Sequence, residues 1–239
     1  MKTVAIIQAR MGSTRLPGKI ALELGGKSML ERVVERASAI EGVDQVVVAT
    51  STLPADDRVV ALAKLAGVPC SRGSEDDVLS RYHAAAKEHA ADEVIRITAD
   101  CPLLDPAVSS RVVVAYREEA PDYASNVLER TFPRGLDTEI LGFDVLDRAF
   151  YQASDKSDRE HVTLYVWRQP EMFDLLSVVG EVDHNSHGWT VDTPWDYEFV
   201  QKVYSELGGG AFHMKEVLDL LEQRPDLLEL NAHVEQKKH

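Results

Sequence analysis

A basic, turn-rich segment follows the first apolar run of the chain and constrains the fold more than any other stretch. Residues 4–7 are apolar and suit one buried strand, and Arg10, Arg15 and Lys19 come next. Between the three cations stand small or turn-forming residues, namely Gly12, Ser13, Thr14, Pro17 and Gly18. Glycine lets backbone N–H groups approach an anion closely, and arginine and lysine complement phosphate oxygens. The pattern predicts a strand followed by a loop that wraps a triphosphate, with a solvated basic turn as the alternative.

The overall charge makes this local cluster of cations harder to ascribe to chance. The 239 residues carry a net charge of −14, which also argues against a nucleic-acid-binding surface. No apolar run approaches the roughly 18 residues that span a bilayer, and the first residues lack a signal-peptide pattern. Cys70 and Cys101 form no CxxC motif. A reduced, cytoplasmic setting with no nucleic-acid or membrane partner is therefore expected.

The first half of the chain alternates buried strands with amphipathic helices. Besides residues 4–7, strands are predicted at 45–50, 68–72 and 93–98; helices are predicted at 29–40, 56–66, 74–90 and from 105 to about 119. Strands that alternate with helices form parallel sheets covered on both faces. The pattern therefore predicts a doubly wound, Rossmann-like, mostly parallel sheet in a three-layer α/β/α fold.

The second half is less regular. Strands are predicted at 123–127, 135–141, 172–179 and 189–192; helices are predicted at 143–153, 157–168, 195–207 and 214–223; the polar tail 234–239 is expected to fray. No linker or low-complexity segment divides the chain. Residues 1–239 are therefore expected to form one domain, in which the second half adds strands to the same sheet.

Two aspartates follow predicted strands. Asp100 comes after the strand at 93–98, and Asp192 closes the one at 189–192. Ligands of open α/β sheets bind at the carboxyl ends of the strands, and Mg²⁺ bound to a nucleotide usually takes one or two protein carboxylates. Asp100 and Asp192 are thus candidate metal ligands. The alternative is that each caps a helix, because both precede a proline within two residues.

Five segments carry a resemblance to a known family. They are residues 8–19, 72–82, 98–103, 159–163 and 191–194. Together they resemble the cytidylyltransferases that activate acidic sugars, which include the Kdo and acylneuraminate synthetases, and most of all the spore-coat polysaccharide SpsF-like branch. The resemblance implies a nucleotide-diphospho-sugar transferase type of fold that transfers CMP from CTP with Mg²⁺, releases pyrophosphate, commonly forms a homodimer and serves surface polysaccharide biosynthesis.

The resemblance also assigns residues to roles. Arg10, Arg15 and Lys19 match the loop that contacts the triphosphate and are the catalytic candidates, while Asp100 and Asp192 match the metal aspartates. The candidates for binding the nucleotide are Gln8, Ala9, Gly12, Ser13, Thr50, Arg72, Ser74 and Arg81. The resemblance thus makes residues 1–120 the CTP-binding half, 121–207 the half for the acceptor and the second metal aspartate, and 208–239 a C-terminal helix and tail.

The acceptor is expected to bind in the irregular second half, where substrate loops belong. The candidates there are Tyr123, Ser125, Asn126, Arg134, Asp137, Glu139, Arg159 and His161. Arg159 and Glu160 have a plainer alternative as an ion pair on a solvated helix. The Kdo pattern His-Gln-Ser-Gly-Thr-Glu is absent, and Gln8 stands where those enzymes usually carry proline. The acceptor therefore stays open.

Other functions fit the sequence less well. The stretch Gly26-Lys27-Ser28 resembles the end of a Walker A loop, but Ala21 stands where its first glycine belongs. Cys101 has no neighbouring histidine to activate it, which favours a packed thiol over a nucleophile. A glycosyltransferase on this fold would need an Asp-x-Asp motif where the chain reads Ala99-Asp100-Cys101. A catalytically silent nucleotide-sugar-binding module is the remaining alternative.

Overall fold

The structure is a computed structural model that describes residues 1–234. Its strands are β1 (Thr3–Gln8), β2 (Glu23–Leu24), β3 (Lys27–Ser28), β4 (Gln45–Ser51), β5 (Cys70–Gly73), β6 (Glu93–Thr98), β7 (Tyr123–Ser125), β8 (Glu139–Gly142) and β9 (Leu175–Ser177). Its helices are α1 (Met29–Ser38), α2 (Asp57–Leu65), α3 (Val78–Glu88), α4 (Pro106–Glu119), α5 (Phe143–Gln152), α6 (Lys156–Glu160), α7 (Leu164–Trp167), α8 (Pro194–Leu207), α9 (Met214–Gln223) and α10 (Asp226–Glu229). The predicted fraying of the tail falls mostly on residues 235–239, outside the described part.

One sheet organises the domain. Its strand order is β5-β4-β1-β6-β8-β7-β9, and β2 pairs with β3 in a separate hairpin. β1 pairs in parallel with β4 and β6, whereas β8 runs antiparallel to both β6 and β7. The prediction of a mostly parallel, doubly wound sheet is confirmed, and the second half adds β7, β8 and β9 to it, as expected.

Helices cover both faces of the sheet because its strands are apolar on both sides. In β1, Ala5 and Ile7 pack with α1, α2 and α4, while Val4 and Ile6 pack with α3, α5 and α7. A third apolar cluster joins α8, α9 and α10 around Trp189, which is 1% exposed. No helix within residues 1–234 is long and apolar enough to cross a membrane.

The structure corrects four predicted elements of the second half. The helix predicted at 157–168 is two short helices, α6 and α7, because Val162 between them has a φ of 57° that a helix cannot contain. No strand forms at 189–192; instead Gly188 makes an isolated bridge with Arg134. The strands predicted at 135–141 and 172–179 contract to β8 and β9.

Candidate active site

A polar cleft of about 470 Å³ opens at the carboxyl ends of β1 and β6. Residues from the loop after β1 and from the start of α3 lie on one side, and residues from the second half of the chain lie on the other. The predicted site residues that line it are Gln8, Ala9, Arg10, Gly12, Ser13, Arg15, Lys19, Arg81, Asp100, Arg134, Asp137, Glu139, His161 and Asp192. The carboxyl edge of the sheet is where open α/β folds bind ligands.

The loop after β1 is held in place by its own backbone and by one carboxylate. Gly18 adopts a φ of 71°, and its N–H donates to the Met11 carbonyl at 3.1 Å. The Met11 N–H donates to Asp56 Oδ1 at 2.7 Å, and the Ser51 hydroxyl donates to Asp56 Oδ2. Asp56 is 2% exposed. Sequence analysis missed this residue because nothing local links position 56 to the loop at 8–19.

Four charged side chains meet in the cleft. Lys19 Nζ lies 2.9 Å from Asp100 Oδ2 and 3.0 Å from Asp192 Oδ1, and Arg15 Nη2 lies 2.6 Å from Asp192 Oδ2. Lys19 Nζ also donates to the Val191 carbonyl at 2.8 Å. Two of the three predicted cations, Arg15 and Lys19, and both predicted metal aspartates therefore converge on one point, although they are up to 177 positions apart in the chain.

Charge pairing dominates the ionisation of this group. Burial opposes the Lys19 ammonium, but Asp100 and Asp192 outweigh that effect, so the pKa of Lys19 is raised above 10.5. Burial likewise opposes the Asp100 carboxylate, yet Lys19 outweighs it and the pKa of Asp100 is lowered below 3.8. Lys19 and Asp100 are therefore both charged at neutral pH.

Local structure brings the two aspartates together. Asp100 lies two residues after the end of β6, and its carbonyl accepts from the Val191 N–H at 2.8 Å. Thr193 caps α8 in a capping box with Asp196, and Asp196 Oδ2 also accepts from the Asp192 N–H at 3.2 Å. Neither Asp100 nor Asp192 is itself an N-cap, since Asp105 caps α4 and Thr193 caps α8. Their side chains face the cleft instead.

Two orphaned polar atoms mark the nucleotide half of the cleft. Gln8 Oε1, at the end of β1, and Arg81 Nε, in α3, are buried without a hydrogen-bond partner. Buried polar groups are nearly always paired in folded proteins, so such atoms favour a bound ligand. Arg10 lies at the open rim, where its Nη1 approaches Glu75 Oε1 at 3.8 Å.

Three of the predicted nucleotide contacts lie outside the cleft. Thr50 is fully buried within β4. Arg72 points away from the cleft, and its Nη2 donates to the Leu53 carbonyl at 2.8 Å. The hydroxyl of Ser74 accepts from the Asp77 N–H at 3.1 Å. Arg72 and Ser74 thus have partners in the protein, whereas the Thr50 hydroxyl is buried without a hydrogen-bond partner. A direct role of the three residues in nucleotide binding stays a prediction.

Four of the predicted acceptor residues are likewise absent from the cleft lining. Tyr123 is fully buried and donates to Glu139 Oε2 at 2.8 Å, and the Ser125 hydroxyl accepts from the Val127 N–H at 2.8 Å. The Asn126 side chain joins the backbone of residues 136 and 138. Arg159 forms a forked pair with Asp77, with 3.0 Å from its Nε and 2.5 Å from its Nη2. Each holds part of the wall in place instead of facing the cleft.

The cleft also contains residues that sequence analysis did not assign to the site. They are Thr14, Ile20, Glu75, Asp76, Val78, Arg96, Thr98, Ala99, Cys101, Lys156, Glu160 and Thr190. Burial raises the pKa of the Cys101 thiol well above 9.0, with Asp100 and Asp137 adding to the effect, so Cys101 is a packed thiol and not a nucleophile. Arg96 carries the strongest unused signal, since an arginine within a strand pattern of apolar residues demands a partner.

Comparison with known proteins agrees with this geometry. Residues 4–238 match a family model described as Cytidylyltransferase. The spore coat polysaccharide biosynthesis protein SpsF of Bacillus subtilis is 33% identical over 229 residues, which cover 92% of this chain and 94% of that protein. A cytidylyltransferase from Leptospira borgpetersenii superposes with a TM-score of 0.91 at 33% identity, and 100% of each chain is covered.

A more distant solved structure shares the fold. It is a CMP:2-keto-3-deoxy-manno-octonic acid synthetase in complex with CTP, with a TM-score of 0.67 at 22% identity, covering 86% of this chain and 99% of that one. The family predicted from the sequence motifs is confirmed. The chain therefore belongs to the cytidylyltransferase family of nucleotidyltransferases.

Proposed function

We propose that this protein transfers CMP from CTP to an oxygen of an acidic sugar acceptor, with release of pyrophosphate. The observation that carries the proposal is a group of ion pairs beside the carboxyl ends of β1 and β6. Lys19 pairs there with Asp100 and Asp192, and Arg15 pairs with Asp192. An oxygen–phosphorus bond forms at the α-phosphorus, and the bond to the β-phosphate oxygen breaks in line. The electron pair of that bond leaves with pyrophosphate, and the acceptor proton passes to solvent.

The chain supplies position and charge for this reaction. Backbone N–H groups of the loop at 8–19 would hold the phosphates, and Arg15 and Lys19 would neutralise the charge that develops on pyrophosphate. Both cations now contact Asp192, so nucleotide binding would exchange carboxylate partners for phosphate oxygens. Arg10, half-exposed at the rim, would close over the same phosphates.

The donor set suits Mg²⁺. Within residues 1–234 no group of three histidine, cysteine or acidic side chains is placed to hold a metal, but Asp100 and Asp192 share one ammonium partner. Mg²⁺ on a nucleotide is commonly held by one or two carboxylates together with phosphate oxygens and water. Asp100 and Asp192 would therefore hold it. When bound, Mg²⁺ would polarise the phosphates and offset their charge.

The acceptor class is inferred from the relatives and from the cleft. The SpsF relative is named for spore coat polysaccharide biosynthesis, and the CTP-bound neighbour is a synthetase of a CMP-linked sugar acid. The acceptor side of the cleft holds Arg134, His161 and Lys156, which suit an anion. We therefore place the enzyme in surface polysaccharide or related biosynthesis and expect a homodimer of the 26.5 kDa chain in light scattering.

Pyrophosphate release tests the proposal. The protein is incubated with each nucleoside triphosphate, Mg²⁺ and a panel of acids that contains Kdo, nonulosonic acids and phosphonates. We expect release with CTP and one acid, and loss of at least about 100-fold in kcat/KM for Asp192→Asn. Asp219→Asn, on the exposed face of α9, is the matched control and should turn over normally. Equal activity of Asp192→Asn would remove Asp192 from the metal site.

A further inference from the structure

A charged pair crosses the floor of the cleft between two strands of the sheet. Arg96 of β6 lies directly opposite Glu139 of β8 in the antiparallel register, and Arg96 Nη1 donates to Glu139 Oε1. The Arg96 side chain is 17% exposed and that of Glu139 is 6% exposed. Buried ions of this kind are kept only where they are paired, so the two side chains stabilise each other in one arrangement.

Both carboxylate oxygens of Glu139 accept hydrogen bonds from other side chains of the protein. Its second oxygen accepts from the Tyr123 hydroxyl at 2.8 Å and from the Thr163 hydroxyl. The Glu139 carboxylate therefore has three side-chain partners, namely Arg96, Tyr123 and Thr163. A carboxylate held in this way fixes the rotamer of Arg96, because the Nη1 end of the guanidinium cannot turn without breaking the pair.

The Nε edge of the Arg96 guanidinium, unlike the Nη1 end, has no partner at its Nε. Arg96 Nε is buried and has no hydrogen-bond partner, although the side chain lines the cleft. A buried charged donor without an acceptor is costly, and a fixed guanidinium in the wall of a cavity can receive a flat anion through two parallel hydrogen bonds. The unpartnered edge and the anchored edge of the same side chain together describe a preorganised anion receptor.

The position of Arg96 favours the acceptor over the nucleotide. It lies two residues before the end of β6, about 7 Å back along the strand from Thr98, whereas the phosphate loop and Asp100 lie beyond that end. The cleft residues contributed by the second half, among them Arg134, Lys156 and His161, belong to the same cavity. A ligand group at Arg96 would thus sit on the sheet side of the phosphates.

We propose that the free edge of Arg96, anchored by Glu139, binds the carboxylate of the acceptor and selects acids over neutral sugars. The inference rests on the proposed function, since it assumes a second substrate in the cleft. A lysine could not replace Arg96, because a single ammonium offers neither the fork nor the simultaneous contact with Glu139. Tyr123 and Thr163 act through Glu139 as positioning residues.

The test follows the N–H signal of Arg96 Nε by ¹⁵N NMR. The signal is assigned by its loss in Arg96→Lys, and the protein saturated with CMP is titrated with acetate, with its neutral isostere acetamide and with Kdo. We expect a saturable shift with acetate and with Kdo, and none with acetamide. Absence of a response to both acids, or a signal that saturates on CTP and then ignores acetate, overturns the proposal.

Two measurements separate this inference from the proposed function. Calorimetry with CTP and Mg²⁺ on the wild-type protein tests the nucleotide site: no CTP binding would refute the function itself. Where CTP binds, Arg96→Lys should keep the CTP dissociation constant within about twofold and raise KM for the acid that supports turnover by about tenfold or more. A loss of CTP affinity equal to the loss for the acid would assign Arg96 to the nucleotide and contradict the inference.

Controls guard against a folding defect. Arg111→Lys changes an arginine that contacts only the backbone of Val179 and the ring of Phe132 among the described residues, and it should alter neither constant. Arg96→Met with Glu139→Gln removes both buried charges at once, so neither is left unpaired. This double variant should fold, bind CTP and lose its preference for the acid that supports turnover over neutral sugars; a retained preference would also contradict the proposal.

Discussion

Asp56 is a single residue on which the position of the phosphate loop depends. We expect Asp56→Ala to lower the free energy of unfolding by about 2 kcal/mol, because the partly buried Met11 N–H and the buried Ser51 hydroxyl lose their acceptor. The loop would then be less ordered before it binds phosphate, so the CTP dissociation constant should rise about tenfold. Urea unfolding and calorimetry measure the two effects.

The neighbouring Asp57 provides the control. Its side chain is 69% exposed and pairs with Arg72 at 2.6 Å, and exposed pairs contribute little. Asp57→Ala should change the free energy of unfolding by no more than about 0.5 kcal/mol and leave CTP affinity unchanged. If Asp56→Ala behaved like Asp57→Ala, the loop would not depend on the Asp56 carboxylate.

Lys19 gives the site a characteristic pH dependence. At pH 7 we expect Lys19→Met to lower the free energy of unfolding by about 3 kcal/mol, because Asp100 loses its cation while it faces Asp192, which keeps only Arg15. The pKa of Asp100 is lowered in the folded protein, so its stabilising contribution is present above its ordinary value of 3.8 and is lost as the pH falls through the folded-state value. The difference between wild type and variant should therefore shrink below about pH 4.

At alkaline pH the group that titrates is the Lys19 ammonium, and its stabilising contribution is lost as the pH rises. The pKa of Lys19 is raised above 10.5, so its contribution is complete below 10.5 and declines only above the raised value. Urea unfolding should show a constant difference between wild type and Lys19→Met from neutral pH to the mildly alkaline range. Lys215→Met, in an exposed pair with Asp219, should match wild type throughout. If the loss of unfolding free energy in Lys19→Met did not depend on pH, charge pairing would be excluded as its cause.

At the scale of elements, Gly135 joins the two segments that carry the acceptor side of the cleft. It has a φ of 104°, and a Cβ there would lie 2.8 Å from the Trp189 carbonyl carbon and 2.9 Å from the Thr190 nitrogen. These contacts are with backbone, which cannot move aside as a flexible side chain can. Gly135→Ala should cost about 3 kcal/mol of stability, from the φ strain and the overlap together, in thermal or urea unfolding.

Gly67 separates those two causes. It follows α2 with a φ of 76°, and a Cβ added there meets nothing within 4 Å. Gly67→Ala should therefore cost only about 1 kcal/mol, since the left-handed backbone is the whole effect. Equal losses at the two glycines would mean that the segment at 188–190 does not pack closely against Gly135.

The main strands and helices of the first half could be predicted from the sequence because each has its own periodic signal, whereas the two-residue strands β2 and β3 are too short to have one. The apolar run of β1, the capping pattern of Ser28 and Glu31 in α1, and the alternation that follows are local features. The helix across Val162 was wrong because a left-handed residue in a helical pattern has no local signature. Short strands such as β9, whose three residues are only partly buried, carry too little pattern to be bounded.

At the scale of the whole molecule, the part of the site that could be predicted from the sequence is the part that lies in one continuous motif. The loop that carries Arg15 and Lys19 meets Asp100 because the parallel strands β1 and β6 end at the same edge, which the fold class implies. Asp192 follows no strand, and it is held beside Asp100 because the Val191 N–H donates to the Asp100 carbonyl. The Arg96–Glu139 pair depends on the antiparallel register between β6 and β8, which no residue near either position specifies. Arg159 is an example of a predicted site residue that the fold uses elsewhere. Its side chain pairs with Asp77, which comes from a distant part of the chain, and the sequence does not reveal this partner.

The most direct test of the account is a calorimetric titration of CTP, with Mg²⁺, into the wild-type protein and Lys19→Met, with Lys215→Met as the control. We expect saturable CTP binding by the wild-type protein and by Lys215→Met, and affinity reduced by about tenfold or more in Lys19→Met, because Lys19 lies where loop and carboxylates meet. Absence of CTP binding, or equal affinity of Lys19→Met and wild type, would contradict the assignment of this cleft to the triphosphate.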